Sequence, residues 1–190
     1  MEKDFLEQKI FRNNLINTGP SVSIEQINIV LRDDFFGKDD LVAFYQTYNG
    51  GLFEPRLNLC IEEYLSNNVL TDNIEEEILI SEMYFIPIIP GERHKFLKSI
   101  VRLRETKPHF FNNKKYATFS KLLVFVKTHF PFATNVAGHD FWIEIPSGKV
   151  KYIVYTEDNA IYDIIVIANC FSEFLENLRD ASDQQTALRM

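Results

Sequence analysis

The chain has 190 residues, 46% hydrophobic and 25% charged, with a formal net charge of −7. That length and apolar content fit one folded domain with a real core and exclude a disordered chain. The acidity excludes a general binder of nucleic acid or anionic membrane, because phosphate would be repelled over most of the surface.

The start, "MEKDFLEQKIFRNN", places acids where a signal peptide needs bases. No run approaches the roughly 20 apolar residues that cross a bilayer, so the expected location is the cytoplasm. Cys60 and Cys170 stand far apart in apolar contexts and read as buried free thiols. Residues 4–16 carry Phe5, Leu6, Ile10, Phe11 and Leu15 as a loose helical stripe, broken by "TGPS". Ser23 opens the next helix, with Gln26 three residues on as a capping box requires. Asp39 or Asp40 caps a third helix, striped by Leu41, Phe44, Tyr45 and Tyr48 and closed at Asn49-Gly50 by a left-handed glycine.

β-Formers dominate the second half. "EILISEMYFIPII" (77–89) reads as one or two strands and "KLLVFVKTHF" (121–130) as another. In "HDFWIEIPSGKVKYIVY", Phe141, Ile143 and Ile145 alternate with Trp142 and Glu144. Val150, Tyr152 and Val154 then alternate with Lys151 and Ile153, and Pro-Ser-Gly between the runs makes a hairpin. "YDIIVIA" is a further strand. "NCFSEFLENLRD" is a closing helix capped by Asn169, with Phe171, Phe174, Leu175 and Leu178 on one face. Residues 181–190 form a flexible polar tail. This order predicts one α+β domain over 1–180, with a mainly antiparallel sheet, N-terminal helices and a closing C-terminal helix.

An insert around 92–118 stands apart. From Glu92 to Lys115 there are eight Lys or Arg against two acids, so this segment carries +6 and the remainder −13. It reads either as a solvated amphipathic helix or as part of a contact surface.

Catalytic chemistry is not signalled. His94, His109, His129 and His139 lack metal-site spacing, and no phosphate loop or nucleophile elbow is present. His139 and Asp140, adjacent in a strand, would face opposite sides. Trp142 reads as a packing anchor or, alternatively, a stacking platform for a ligand. No enzyme activity, cofactor or metal is expected.

Three stretches in chain order resemble the SUKH superfamily, the Smi/Knr-type domains. They are "SIEQINIVLRDDFFGKDDLVAFYQTYNGG" (23–51), "PFATNVAGHDFWIEIPSGKVKYIVY" (131–155) and "IANCFSEFLENL" (167–178). The linker lacks the family's usual Leu-Pro, and its second glycine near "GHD" is missing. The resemblance implies a SUKH-like fold, with Tyr48, Asn49, Gly50 and Gly51 as a corner turning a helix into the sheet. Gly138, Asp140 and Trp142 would be its second signature, and Phe171 and Phe174 its closing helix. It further implies a non-enzymatic bacterial immunity protein that neutralises a cognate toxin, often a nuclease. An acidic body suits capture of a basic toxin by long-range steering. The expected steering residues are Asp72, Glu75, Glu76 and Glu77 on one segment, and Glu157 and Asp158 after the hairpin. A regulatory or scaffold module, or a small-molecule binder near Trp142 and His139, are the alternatives.

Overall fold

Local chemistry sets the first turns of the chain. The computed structural model describes residues 9–31, 33–59, 78–87, 124–125, 127–155 and 161–180. Within these, α1 spans Lys9–Asn14, β1 Leu15–Ile16, α2 Ile24–Val30 and α3 Lys38–Thr47. The strands are β2 (Gly51–Leu59), β3 (Ile78–Met83), β4 (His129–Thr134), β5 (Asp140–Glu144), β6 (Val150–Tyr155) and β7 (Ile161–Ala168). Helix α4 (Phe171–Glu176) and strand β8 (Leu178–Asp180) follow.

The α2 capping box forms as expected: Gln26 N donates to Ser23 Oγ at 3.3 Å, and Ser23 N donates to Gln26 Oε1 at 2.7 Å. Helix α3 differs from expectation at both ends. Its N-cap is Gly37, and Asp39 and Asp40 lie in the first turn, where carboxylates meet the positive end of the helix dipole. It stops at Thr47 with Tyr48 extended, so Gly50 (φ +71) lies beyond the helix end and turns the chain into β2.

The sheet is antiparallel, in the order β1-β2-β3-β4-β5-β6-β7, with β8 also on β2. The expected hairpin is β5–β6, with Phe141 opposite Tyr152 and Ile143 opposite Val150. Side chains alternate between faces. Phe141 and Ile143 therefore enter the main core beside Val150 and Tyr152, under α3 and α4. Phe132 meets Phe171 and Phe174 edge-on at 5.4 and 5.1 Å, and Phe44 meets Phe171 at 5.6 Å. Each such fully buried ring contributes about 1.5–3 kcal/mol. Trp142 and Ile153 take the opposite face, in a smaller cluster with Phe125 and Tyr155.

Four readings need correction. Val124, Phe125, Lys127 and Thr128 are helical and the strand begins only at His129; a short apolar run has no period that separates the two. The closing helix ends at Glu176, so Leu178, still buried, sits in β8. Its N-cap is Cys170, while Asn169 instead donates its backbone N–H to Glu173 Oε2 at 2.8 Å. Cys170 is half-buried rather than buried, 3.3 Å from Ser172 Oγ. The insert around 92–118, the tail 181–190 and Cys60 lie outside the described residues.

Candidate functional site

The Asn49 corner is a hydrogen-bond clasp. Asn49 is buried, and its Nδ2 donates to Pro20 O at 2.9 Å and to Ile86 O at 3.0 Å. Its Oδ1 accepts from Ile86 N at 2.8 Å. One amide thus ties three segments together. Gly50 is required beside it, since a Cβ there would lie 2.8 Å from both Met83 O and Phe85 Cβ. Gly51 starts β2, and Tyr48 packs its ring against Phe11 and Phe44 at 6.0 and 5.7 Å. Tyr48, Asn49, Gly50 and Gly51 thus make the packed, hydrogen-bonded turn that leads from α3 into β2.

The second signature surrounds Asp140, which is 0% exposed. Tyr84 Oη donates to its Oδ1 at 2.6 Å and Tyr155 Oη donates to its Oδ2 at 2.8 Å. Burial first, and then the Asp140 charge, push both tyrosine pKa values well above the ordinary range. Both hydroxyls therefore stay protonated as donors. Among the described residues the buried Trp142 indole N–H finds no hydrogen-bond acceptor, yet it lies near enough to Tyr155 to oppose that shift slightly. Trp142 is 1% exposed, 5.5 Å from the Phe125 ring. It packs, and offers no open face on which a ligand could stack.

His139 precedes β5 rather than lying in it. Its Nδ1 accepts from Tyr155 N at 3.1 Å, and its ring meets Tyr152 edge-on at 5.9 Å. Gly138, exposed with φ +83, makes the turn before it. Phe171 and Phe174 are fully buried in α4.

A third group is not legible in the sequence because its members come from three strands and the β5–β6 turn. Lys151 Nζ donates to Glu144 Oε1 at 2.7 Å and to His129 Nε2 at 3.0 Å. Ser147 Oγ donates to Glu144 Oε2. His129 Nδ1 lies 3.0 Å from Phe125 O, and its ring stacks on Phe125 at 3.8 Å. Nδ1 therefore carries the proton and Nε2 accepts. Burial, followed by the Lys151 charge, lowers the His129 pKa to about 4. Hydrogen bonds from Lys151 and Ser147 lower that of Glu144. The unfolded chain binds the imidazole proton near pH ~6.5, whereas the folded chain binds it only near about 4. This contribution to stability is thus complete above about pH 6.5 and declines as the pH falls toward 4. Urea melts across that window should show a flatter pH dependence for His129→Gln than for wild type. Equal slopes would mean the imidazole is solvated.

Asp72, Glu75, Glu76, Glu77, Glu157 and Asp158 lie outside the described residues. Among the described residues no cluster of His, Cys, Asp or Glu could hold a metal ion, and no helix is long and apolar enough to cross a membrane. The model of the SMI1/KNR4 family (SUKH-1) matches residues 38–177, more than half of the chain. No curated protein and no solved structure matches.

Proposed function

The chain belongs to the SMI1/KNR4 family (SUKH-1), and on that premise we propose that it is a non-enzymatic immunity protein that binds and neutralises a basic protein toxin in the bacterial cytoplasm. One observation carries the reading. The buried Asp140 gives both oxygens to tyrosines of the fold, and Glu144 gives both of its oxygens to Lys151 and Ser147. These carboxylates hold the sheet together instead of facing a substrate. The charge left to the body of the chain is −13 outside the basic insert, which favours fast encounter with a cationic partner.

The test is co-expression with the product of the gene directly upstream. A stoichiometric complex that abolishes the toxicity of that product supports the reading; toxicity that persists with no complex refutes it. We assign the steering to Asp72, Glu75, Glu76 and Glu77, and to Glu157 and Asp158. Amide substitution of either cluster should slow association several-fold at low salt and flatten its salt dependence, leaving dissociation nearly unchanged. Association rates that match wild type at both salt levels would move the steering elsewhere.

A further inference from the structure

Among the described residues, three of the eight exposed large hydrophobics fall between positions 24 and 36: Ile24, Ile29 and Phe36. Ile24 and Ile29 lie on α2 and Phe36 in the loop to α3. Phe36, at 68% exposed, is the most open of the eight and their one aromatic. Its neighbours hold it without covering it. Phe35, the preceding residue, is buried with its ring 5.4 Å from Phe130. Gly37, the next residue, lies against α4, where a Cβ would come within 3.3 Å of Cys170 Cβ. The Phe36 backbone itself lies on the β5–β6 turn: a Cβ at Gly148 would fall 2.0 Å from Phe36 O. Lys38 N also donates back to Phe35 O at 3.2 Å. The loop is thus gripped from the sheet, the helix and the hairpin, while the ring projects outward.

That arrangement resembles a binding hot spot: a large ring held in place before the partner arrives, so little freedom of the loop is lost on docking. Its surroundings select the partner. Asp33, Asp34 and Asp39 are exposed and Asp40 half-exposed. From Arg32 to Asp40 the chain has four acids against two bases, with Lys149 on the neighbouring turn.

We propose that Phe36 is the central contact of a docking surface for a basic protein, its ring entering an apolar pocket whose Lys and Arg rim meets Asp33, Asp34 and Asp39. This rests on the immunity reading, with the toxin as that basic protein. A ring at the centre of such a contact dominates dissociation, whereas rim charges set association.

The probe is the product of the upstream gene, purified with this chain and measured by surface binding kinetics. Phe36→Ala should weaken binding at least about thirty-fold, mostly in dissociation, with an unchanged thermal melt because the ring is exposed. Phe36→Lys, which sets a cation against a basic partner, should lose more. Asp33→Asn with Asp34→Asn should slow association and reduce its salt dependence. Val136→Ala, exposed on the β4–β5 turn, should bind within about two-fold of wild type. If wild type binds and Phe36→Ala and Phe36→Lys bind as tightly, the docking surface is refuted and the immunity reading stands. If wild type itself does not bind, both fall.

Discussion

Asn49→Ala is expected to lower the stability of the protein by about 3–5 kcal/mol, because two buried backbone groups and a partly buried one lose their partner together. Pro20 O and Ile86 O would lose their donor, and Ile86 N its acceptor. No water reaches the Ile86 groups without opening the corner, since Ile86 is 0% and Asn49 1% exposed. The bond from Gly19 N to Asn49 O at 2.9 Å involves only backbone and survives. Asn49→Asp should be nearly as damaging, because a carboxylate would face two carbonyl oxygens it cannot donate to. Urea melts measure this directly, with the exposed Asn28→Ala as a reference expected within about 0.5 kcal/mol of wild type. An Asn49→Ala midpoint equal to that of Asn28→Ala would show that the clasp does not hold the corner.

Asp140→Ala should cost about the same, on the order of 3–5 kcal/mol, since it takes the Asp140 acceptor from the buried Tyr84 hydroxyl and the partly buried Tyr155 hydroxyl. Asp140→Asn should cost less, because its amide oxygen still accepts one hydroxyl. Alkaline pH separates the two causes of the tyrosine shifts. Tyr84 and Tyr155 have pKa values raised in the folded state. Their contribution is complete below the unfolded value near ~10 and is lost as the pH rises toward the folded values. In Asp140→Asn the charge is gone while burial remains, so both tyrosines should ionise at lower pH than in wild type. Absorbance titration of the phenolate reads this. Identical ionisation curves would mean that the carboxylate charge contributes nothing there.

What could be read from the sequence depended on how local its cause was. The α2 capping box links residues only three apart, and the β5–β6 hairpin announces itself through alternation and one glycine; both are visible. The stripe marks helix α3 but not its end, because Gly50, which reads as a helix stop, serves the strand that follows. Strands β1 and β8, of two and three residues, are too short to alternate. Strand β2 holds Pro55, Glu54 and Arg56 and has no apolar rhythm; its neighbours make it a strand. Phe174 and Leu178 have helical spacing, which drew the closing helix too long. At the candidate site, Asp140 was singled out beside Gly138, but its partners Tyr84 and Tyr155 stand 56 and 15 residues away. No periodicity joins them. Phe36 was invisible as a surface feature because Phe35 and Phe36 read alike until one is seen to be buried and the other exposed.

Strand β2 is flanked on one edge by both ends of the described chain. Leu52 and Phe53 pair with β1, and Leu57 to Leu59 pair with β8. During synthesis that edge therefore stays half open. A ribosome adding about 5–20 residues per second needs roughly ten seconds between finishing β2 and delivering Leu178. Through that interval the Leu57–Leu59 edge has no β8 to pair with, while β3, β4 and the β5–β6 hairpin are already emerging to take the other side. Strand β8 thus acts as a latch: the sheet reaches its full width on this side only after β8 is made.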